Sequence, residues 1–313
     1  MRRAFAEELV ELGRVDQRIV VLDNDVDLTS QTALFRKAFP ERFVEIGIAE
    51  KNMFGTAAGL ALSGFIAVPA TFASFATRCA LDQVAVSIAQ PALNVKITGH
   101  YTGGSKAGAS HIAIEDLAVY RALPNMRVAD PADNADLRAV MRAAFAVEGP
   151  VYFRVTKLAV PAIFESDHHF EWGKGVVLRA GGDVSIFTTG MMASLSLEAA
   201  RQLAADGVDA EVVHLASIKP IDRDLIAHSV ARTRCAVSAE NATVVGGFGS
   251  AVAETLAETV PVPLRRIGLQ DEWAHSGSIG QILERYHLRA VDIAAAARDA
   301  MAAKQRDLDL RLA

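Results

Sequence analysis

The sequence predicts an α/β protein built from two doubly wound domains, each a mainly parallel sheet covered by helices. Short apolar runs alternate with amphipathic stretches along the whole chain, the rhythm of parallel strands joined by crossover helices. That rhythm breaks once, between residues 156 and 175, and then restarts. With 313 residues, 51% hydrophobic and 22% charged, there is material for two cores.

The elements follow in order. Met1-Arg2-Arg3-Ala4-Phe5-Ala6-Glu7-Glu8-Leu9 starts an amphipathic helix and lacks the continuous apolar segment of a secretory signal. Short apolar runs predict strands at 19–23, 43–46, 66–71, 94–98, 126–129 and 151–155. Helical spacing fills 52–62, 75–89, 115–123 and 135–147. The stretch with Pro161, Asp167, His168, His169 and Glu171 has no periodicity and reads as a linker, so the units are expected at 1–165 and 166–313. The second unit predicts strands at 184–188, 210–215, 235–239 and 264–267. Its helices are expected at 193–205, 222–231, 250–259, 279–286 and 291–304, ahead of a charged tail.

Composition excludes several classes. A net charge of −5 gives no basic surface for nucleic acid. Two cysteines, Cys79 and Cys235, make neither a disulfide framework nor a zinc pattern and read as small core residues. No run approaches the roughly 20 apolar residues of a membrane span. The expected compartment is the cytoplasm.

The chemistry-bearing residues fall on strand–helix junctions. Glu50 stands between the β-like stretch 42–47 and a small-residue helix, where the helix dipole favours a carboxylate whatever its role. Phe72, Phe75 and Arg78 are three apart and share a stripe. An arginine there needs a carboxylate, a phosphate or a ring face. With the aromatic pair it suits a flat heterocycle beside an anionic group. The loop from Gly99 to His111 follows a strand, the edge at which open α/β sheets bind ligands. Its four glycines, Gly99, Gly103, Gly104 and Gly108, would let the backbone approach a ligand closely. His100 and His111 bracket the loop with Lys106 between them. That spacing is no metal signature; it fits contact with a sugar hydroxyl or phosphate, or a surface loop with incidental histidines. Arg154, inside the apolar run 151–155, requires an anion from a ligand or from a structural carboxylate. Gly246-Gly247-Phe248-Gly249 lacks the spacing of a dinucleotide fingerprint.

Taken together, Gly47-Ile48-Ala49-Glu50-Lys51-Asn52-Met53, Thr71-Phe72-Ala73-Ser74-Phe75, and Ser110-His111 with Glu115-Asp116 resemble the transketolase family. More narrowly they resemble the C-terminal subunit of split, two-chain transketolases. Thr189-Gly190-Met191, Ile218-Lys219-Pro220-Ile221-Asp222, Glu240-Asn241 and Ser276-Gly277 extend the resemblance along the second half.

The resemblance implies a thiamine-diphosphate pyrimidine-binding domain followed by a transketolase C-terminal domain. The activity would be transfer of a two-carbon ketol unit between sugar phosphates. Glu50 would hydrogen-bond the cofactor's aminopyrimidine, and Phe75 would stack on it beside Phe72, with Arg78 also at the cofactor. His100 and His111 would lie near the reacting sugar. Arg154, and more loosely Ser30, would receive the substrate phosphate. Two positions depart from the pattern. Ala107 stands where many relatives carry an acid, and Arg78 stands where single-chain transketolases carry tyrosine and deoxyxylulose-phosphate synthases carry arginine.

The chain has no Gly-Asp-Gly motif, so the Mg²⁺ ligands are expected on an N-terminal, diphosphate-binding partner subunit that shares the cofactor, in an α2β2 assembly. Two other readings share the pattern: the β-subunit of a 2-oxo acid dehydrogenase E1 or a synthase-like decarboxylase, and a catalytically silent assembly or regulatory subunit. Intact Glu50, Phe75 and His111 speak for catalysis. The second unit is expected to serve subunit contacts, with Glu240 and His275 as surface or interface residues in loops.

Overall fold

A computed structural model describes residues 1–104 and 108–312, apart from the side chains of 307, 308 and 310–312. The strands are β1 (Ile19–Asp23), β2 (Phe43–Glu45), β3 (Ile66–Phe72), β4 (Lys96–His100), β5 (Arg127–Ala129), β6 (Val151–Val155), β7 (Val176–Arg179), β8 (Val184–Thr188), β9 (Ala210–His214), β10 (Ser217–Lys219), β11 (Ala236–Thr243) and β12 (Leu264–Leu269). They form a seven-stranded sheet in the order β10-β5-β6-β4-β3-β1-β2 and a five-stranded sheet in the order β12-β11-β8-β9-β7. All pairings are parallel except β10 on β5 and β7 on β9.

The expected α/β architecture stands, and the central strands show why. In β1, β6, β8 and β9 every residue is buried, because helices cover both faces of each sheet. On one face of the larger sheet, the helices Arg2–Val15 and Asn134–Phe145 bury Phe5, Leu9 and Leu137 against Val21, Val68 and Phe153. On the other, the helix Glu50–Leu62 and the segment 83–89 bury Met53, Phe54, Val84 and Ile88 against Leu22, Ile97 and Tyr152. Among the described residues no helix is long and apolar enough to cross a membrane.

Several elements differ from expectation. The stretch 75–89 is not one α-helix but two π-helical turns, Phe75–Cys79 and Gln83–Ala89. Such widened turns are frequent at functional sites, and apolar spacing alone does not distinguish them from α-helix. Thr77 adds a local cause, since its hydroxyl bonds the carbonyl of Ala73 and competes with the helical ladder. β7 and β10 are too short to show a period. β10 comes from the second half of the chain yet pairs with the first sheet, Ser217 opposite Ala129 and Lys219 opposite Val128. Cys235 is core as expected, but Cys79 is exposed.

The stretch 156–175 carries no helix or strand, but it is tied down. Asp133 Oδ2 accepts from the backbone N–H groups of Ile163 and Phe164 at 2.6 and 2.8 Å. Asp136 meets His214 of β9 at 2.8 Å and His168 at 3.3 Å, and Phe164 stacks on His168 with centroids 3.9 Å apart.

Candidate active site

The candidate site lies at the carboxyl ends of β1 to β4. After β2 the chain turns through Gly47, whose φ of 74° is open to glycine at low cost. Glu45 fixes that turn, because its Oε1 accepts from the N–H groups of Gly47 at 2.8 Å and Asp25 at 3.0 Å. Three residues after Gly47, Glu50 opens its helix half-buried. Asn24, at the end of β1 and 2% exposed, donates from Nδ2 to Glu50 Oε1 at 2.9 Å, while its own Oδ1 is buried without a partner among the described residues. Neither Glu45 nor Asn24 was singled out by the sequence. A polar residue directly after a buried strand was the only available signal for Asn24.

Phe72 and Phe75 stack on one another, with centroids 5.3 Å apart and planes at 23°. Tyr101 extends the pair, 4.5 Å from Phe72. His111 stands edge-on to Phe75 at 5.5 Å and lies 6.1 Å from Phe72, so the structure brings it to the aromatic pair. Its Nδ1 is 2.8 Å from Ser110 Oγ. Cys79 belongs to the turn that carries Phe75. That turn packs against the helix that Glu50 opens.

Four expected site residues turn elsewhere. Arg78 is taken up by the chain's own groups. Its Nε and Nη2 grip Glu115 at 2.5 and 2.9 Å, Nη1 and Nη2 donate to the carbonyls of Ala109 and Ile112 at 2.5 and 3.1 Å, and Trp273 lies 5.0 Å from its guanidinium. It therefore clamps the descending limb of the glycine-rich loop. Arg154 is 2% exposed and closed off by Asp116 at 2.5 and 2.7 Å, by Asp130 at 3.2 Å and by the carbonyl of Asn241 at 3.1 Å. The anions it meets in this structure are the carboxylates of Asp116 and Asp130. Ser30 is fully buried, with its hydroxyl among Asp23, Val26 and Thr32. His100 is fully buried edge-on to Phe5 at 5.2 Å, and neither ring nitrogen has a partner among the described residues. Burial, aided by the nearby positive charge of Arg2 and the N-terminus, lowers its pKa to about 3, so its ring is neutral.

The glycines of the loop answer a different need from the one expected. A Cβ on Gly103 would collide with Asn241, one on Gly104 with Ile282, one on Gly108 with Ser276 and one on Gly99 with the Tyr152 ring. Three of the four therefore admit the second unit, not a ligand. Glu240 differs from expectation as well. It lies on β11, fully buried, and accepts from the N–H groups of Phe248 and Gly249, each at 2.7 Å. His275 is exposed, as expected. Ala107 and Lys106 lie outside the described residues. Among the described residues no group of three or more His, Cys, Asp or Glu side chains is placed to hold a metal ion.

Residues 1–162 match the family described as transketolase, pyrimidine binding domain, and residues 173–293 match transketolase, C-terminal domain. The chain is 40% identical over 301 residues to the 6-deoxy-6-sulfo-D-fructose transketolase subunit SqwH of Clostridium sp. strain MSTE9, covering 96% of this chain and 94% of that one. It is 36% identical over 294 residues to a subunit of the apulose-4-phosphate transketolase of Phocaeicola vulgatus, covering 92% and 93%. It is 34% identical to the 1-deoxy-D-xylulose-5-phosphate synthase of Heliobacterium modesticaldum, where 99% of this chain spans 48% of the synthase. Among solved structures, a split-gene transketolase described as an inactive β4 tetramer superposes with a TM-score of 0.90 at 47% identity, covering 97% of this chain and 98% of that one.

Proposed function

The chain belongs to the transketolase family, and from that premise we propose that it is the small subunit of a two-chain, thiamine-diphosphate-dependent transketolase moving a two-carbon ketol unit between sugar phosphates. The observation that carries the reading is Glu50, anchored by Asn24 at the start of a helix that packs on the turn carrying Phe75. These residues fit an aminopyrimidine. Glu50 Oε2 makes no hydrogen bond among the described residues, the buried Asn24 Oδ1 is an unused acceptor, and the Phe75 ring offers a flat apolar face. When bound, thiamine diphosphate supplies the electron sink that lets a carbon–carbon bond next to a carbonyl break.

This chain's own part is orientation and proton handling. Asn24 fixes the rotation of the Glu50 carboxyl, so that Oε2 would be free to hydrogen-bond a ring nitrogen of the bound cofactor. Phe72, Phe75 and Tyr101 form a contiguous aromatic surface that would exclude water from a bound heterocycle. Ser110 occupies Nδ1 of His111, which leaves Nε2 to exchange a proton with a sugar hydroxyl. The diphosphate and Mg²⁺ would be held by an N-terminal partner subunit. That division agrees with the similar chains, two of which are named as transketolase subunits, and with a longer synthase of which this chain spans 48%.

Reconstitution tests the reading. The chain is mixed with its N-terminal partner, thiamine diphosphate and Mg²⁺, then assayed with a ketose phosphate and, separately, with pyruvate. Ketol transfer that needs both chains is expected. Full activity from this chain alone, or turnover of pyruvate and not of ketose phosphates, would overturn it.

A further inference from the structure

Of the second unit's side chains that meet the His111 loop, a buried amide hydrogen-bonds its backbone, and we propose that this residue, Asn241, is a positioning residue for His111. The inference rests on the role given to His111 above. Gly104 N donates to Asn241 Oδ1 at 2.9 Å, and Asn241 is 4% exposed. Asn241 is itself held at two further points: its carbonyl accepts from Arg154 Nη1 at 3.1 Å, and its Nδ2 lies 3.1 Å from Met191 Sδ. Arg154 in turn is locked by Asp116 and Asp130, so the acceptor offered to Gly104 is fixed to both sheets.

The loop converts that fixity into the placement of an imidazole. Its two limbs meet where Thr102 bridges Ala113 and Gly103 N donates to Ala113 O at 2.7 Å. His111 lies two residues from that junction on the descending limb, which Arg78 holds through Ala109 and Ile112. Asn241 holds the ascending limb. Gly103, at φ 64°, is pressed so closely on Asn241 that no side chain fits between them. Loss of the Asn241 amide frees one side of the junction, and the His111 ring loses its fixed distance to Phe75. A displacement of about 1 Å at a reacting group costs up to roughly 100-fold in rate.

Two substitutions at this position separate the roles. Asn241→Leu removes the acceptor and keeps the bulk; Asn241→Asp keeps an oxygen acceptor. Neither removes the backbone carbonyl that Arg154 uses. Hydrogen exchange on the full-length chain alone is expected to show amides of 102–113 exchanging about tenfold faster in Asn241→Leu, with β3 and β4 unchanged and with Asn241→Asp close to wild type. In the two-chain enzyme, kcat is expected to fall about tenfold in Asn241→Leu while the KM for thiamine diphosphate stays put. Gly104→Ala, which drives the same limb against Ile282, is expected to reproduce the kcat loss. Unchanged exchange in 102–113, or faster exchange with unchanged kcat, overturns the proposal. If wild-type chains together transfer no ketol unit, the functional reading falls with the role of His111, while the exchange arm still decides whether Asn241 holds the loop.

Discussion

Asn24 and Glu50, 26 residues apart, join at 2.9 Å and tie the end of β1 to the first residue of the helix Glu50–Leu62. The carboxyl is thus oriented by a neighbouring strand and not only by its own helix. Glu50→Gln preserves size and packing and removes the titratable proton, so kcat is expected to fall by roughly 100-fold or more, as for loss of a general acid–base group. The melting temperature is expected to stay within about 2 °C, read by calorimetry on the chain alone. Asn24→Ala is expected to lower kcat less, by about tenfold. Wild-type turnover in Glu50→Gln would take the carboxyl out of the chemistry.

Arg78 offers a test of geometry against charge. Its guanidinium makes four hydrogen bonds, two to Glu115 and two to carbonyls, from three separate nitrogens, whereas an ammonium has three donors on one atom. Arg78→Lys is therefore expected to behave like Arg78→Ala: both should lose roughly 1–3 kcal/mol in urea unfolding and lower kcat. A lysine variant with wild-type stability would show that charge alone suffices.

Arg154 separates a structural ion pair from a phosphate anchor. Arg154→Ala leaves Asp116 and Asp130 buried without their partner, and a destabilisation of about 3–5 kcal/mol is expected in denaturant titration. A variant of unchanged stability whose only defect is a raised KM for the sugar phosphate would restore the phosphate role.

Asp136 gives the chain an acid limit. Burial alone would raise the pKa of its carboxyl, but the imidazole of His168 at 3.3 Å and the hydrogen bonds to His214 and from Ala132 N outweigh burial and hold it well below the usual carboxylate range. A carboxyl depressed in the folded state contributes stability that is present above its unfolded pKa of about 4 and is lost as pH falls further. The urea midpoint of the wild type is expected to drop steeply below about pH 4, and Asp136→Asn to start lower near neutrality and fall less. Parallel pH profiles for the two proteins would remove Asp136 from the acid response.

The parts legible in the sequence were those whose cause is local. Phe72 and Phe75 follow from a stripe argument because they are neighbours in sequence and in space; Glu50 follows from its helix start, while its partner Asn24 lies 26 residues away. Arg154, Ser30 and His100 also lie near the expected edge of the sheet, but their partners do not follow from strand position. Asp116, which neutralises Arg154, is 38 residues away, and Phe5, which covers His100, belongs to the first helix. The glycines were read as room for a ligand because Asn241, Ile282 and Ser276 lie far along the chain, as the 137-residue separation of Gly104 and Asn241 shows. β10 was invisible for the same reason, since three residues form a strand only against β5.

β10 bears on how the chain is made. Until Lys219 has left the ribosome, β5 is the open margin of the larger sheet, with backbone groups ready to recruit a foreign strand. A fragment ending near residue 165 would keep that margin permanently and would also lack Asn241. A break in the middle of the polypeptide would therefore cost the larger sheet its closing strand and the His111 loop its anchor.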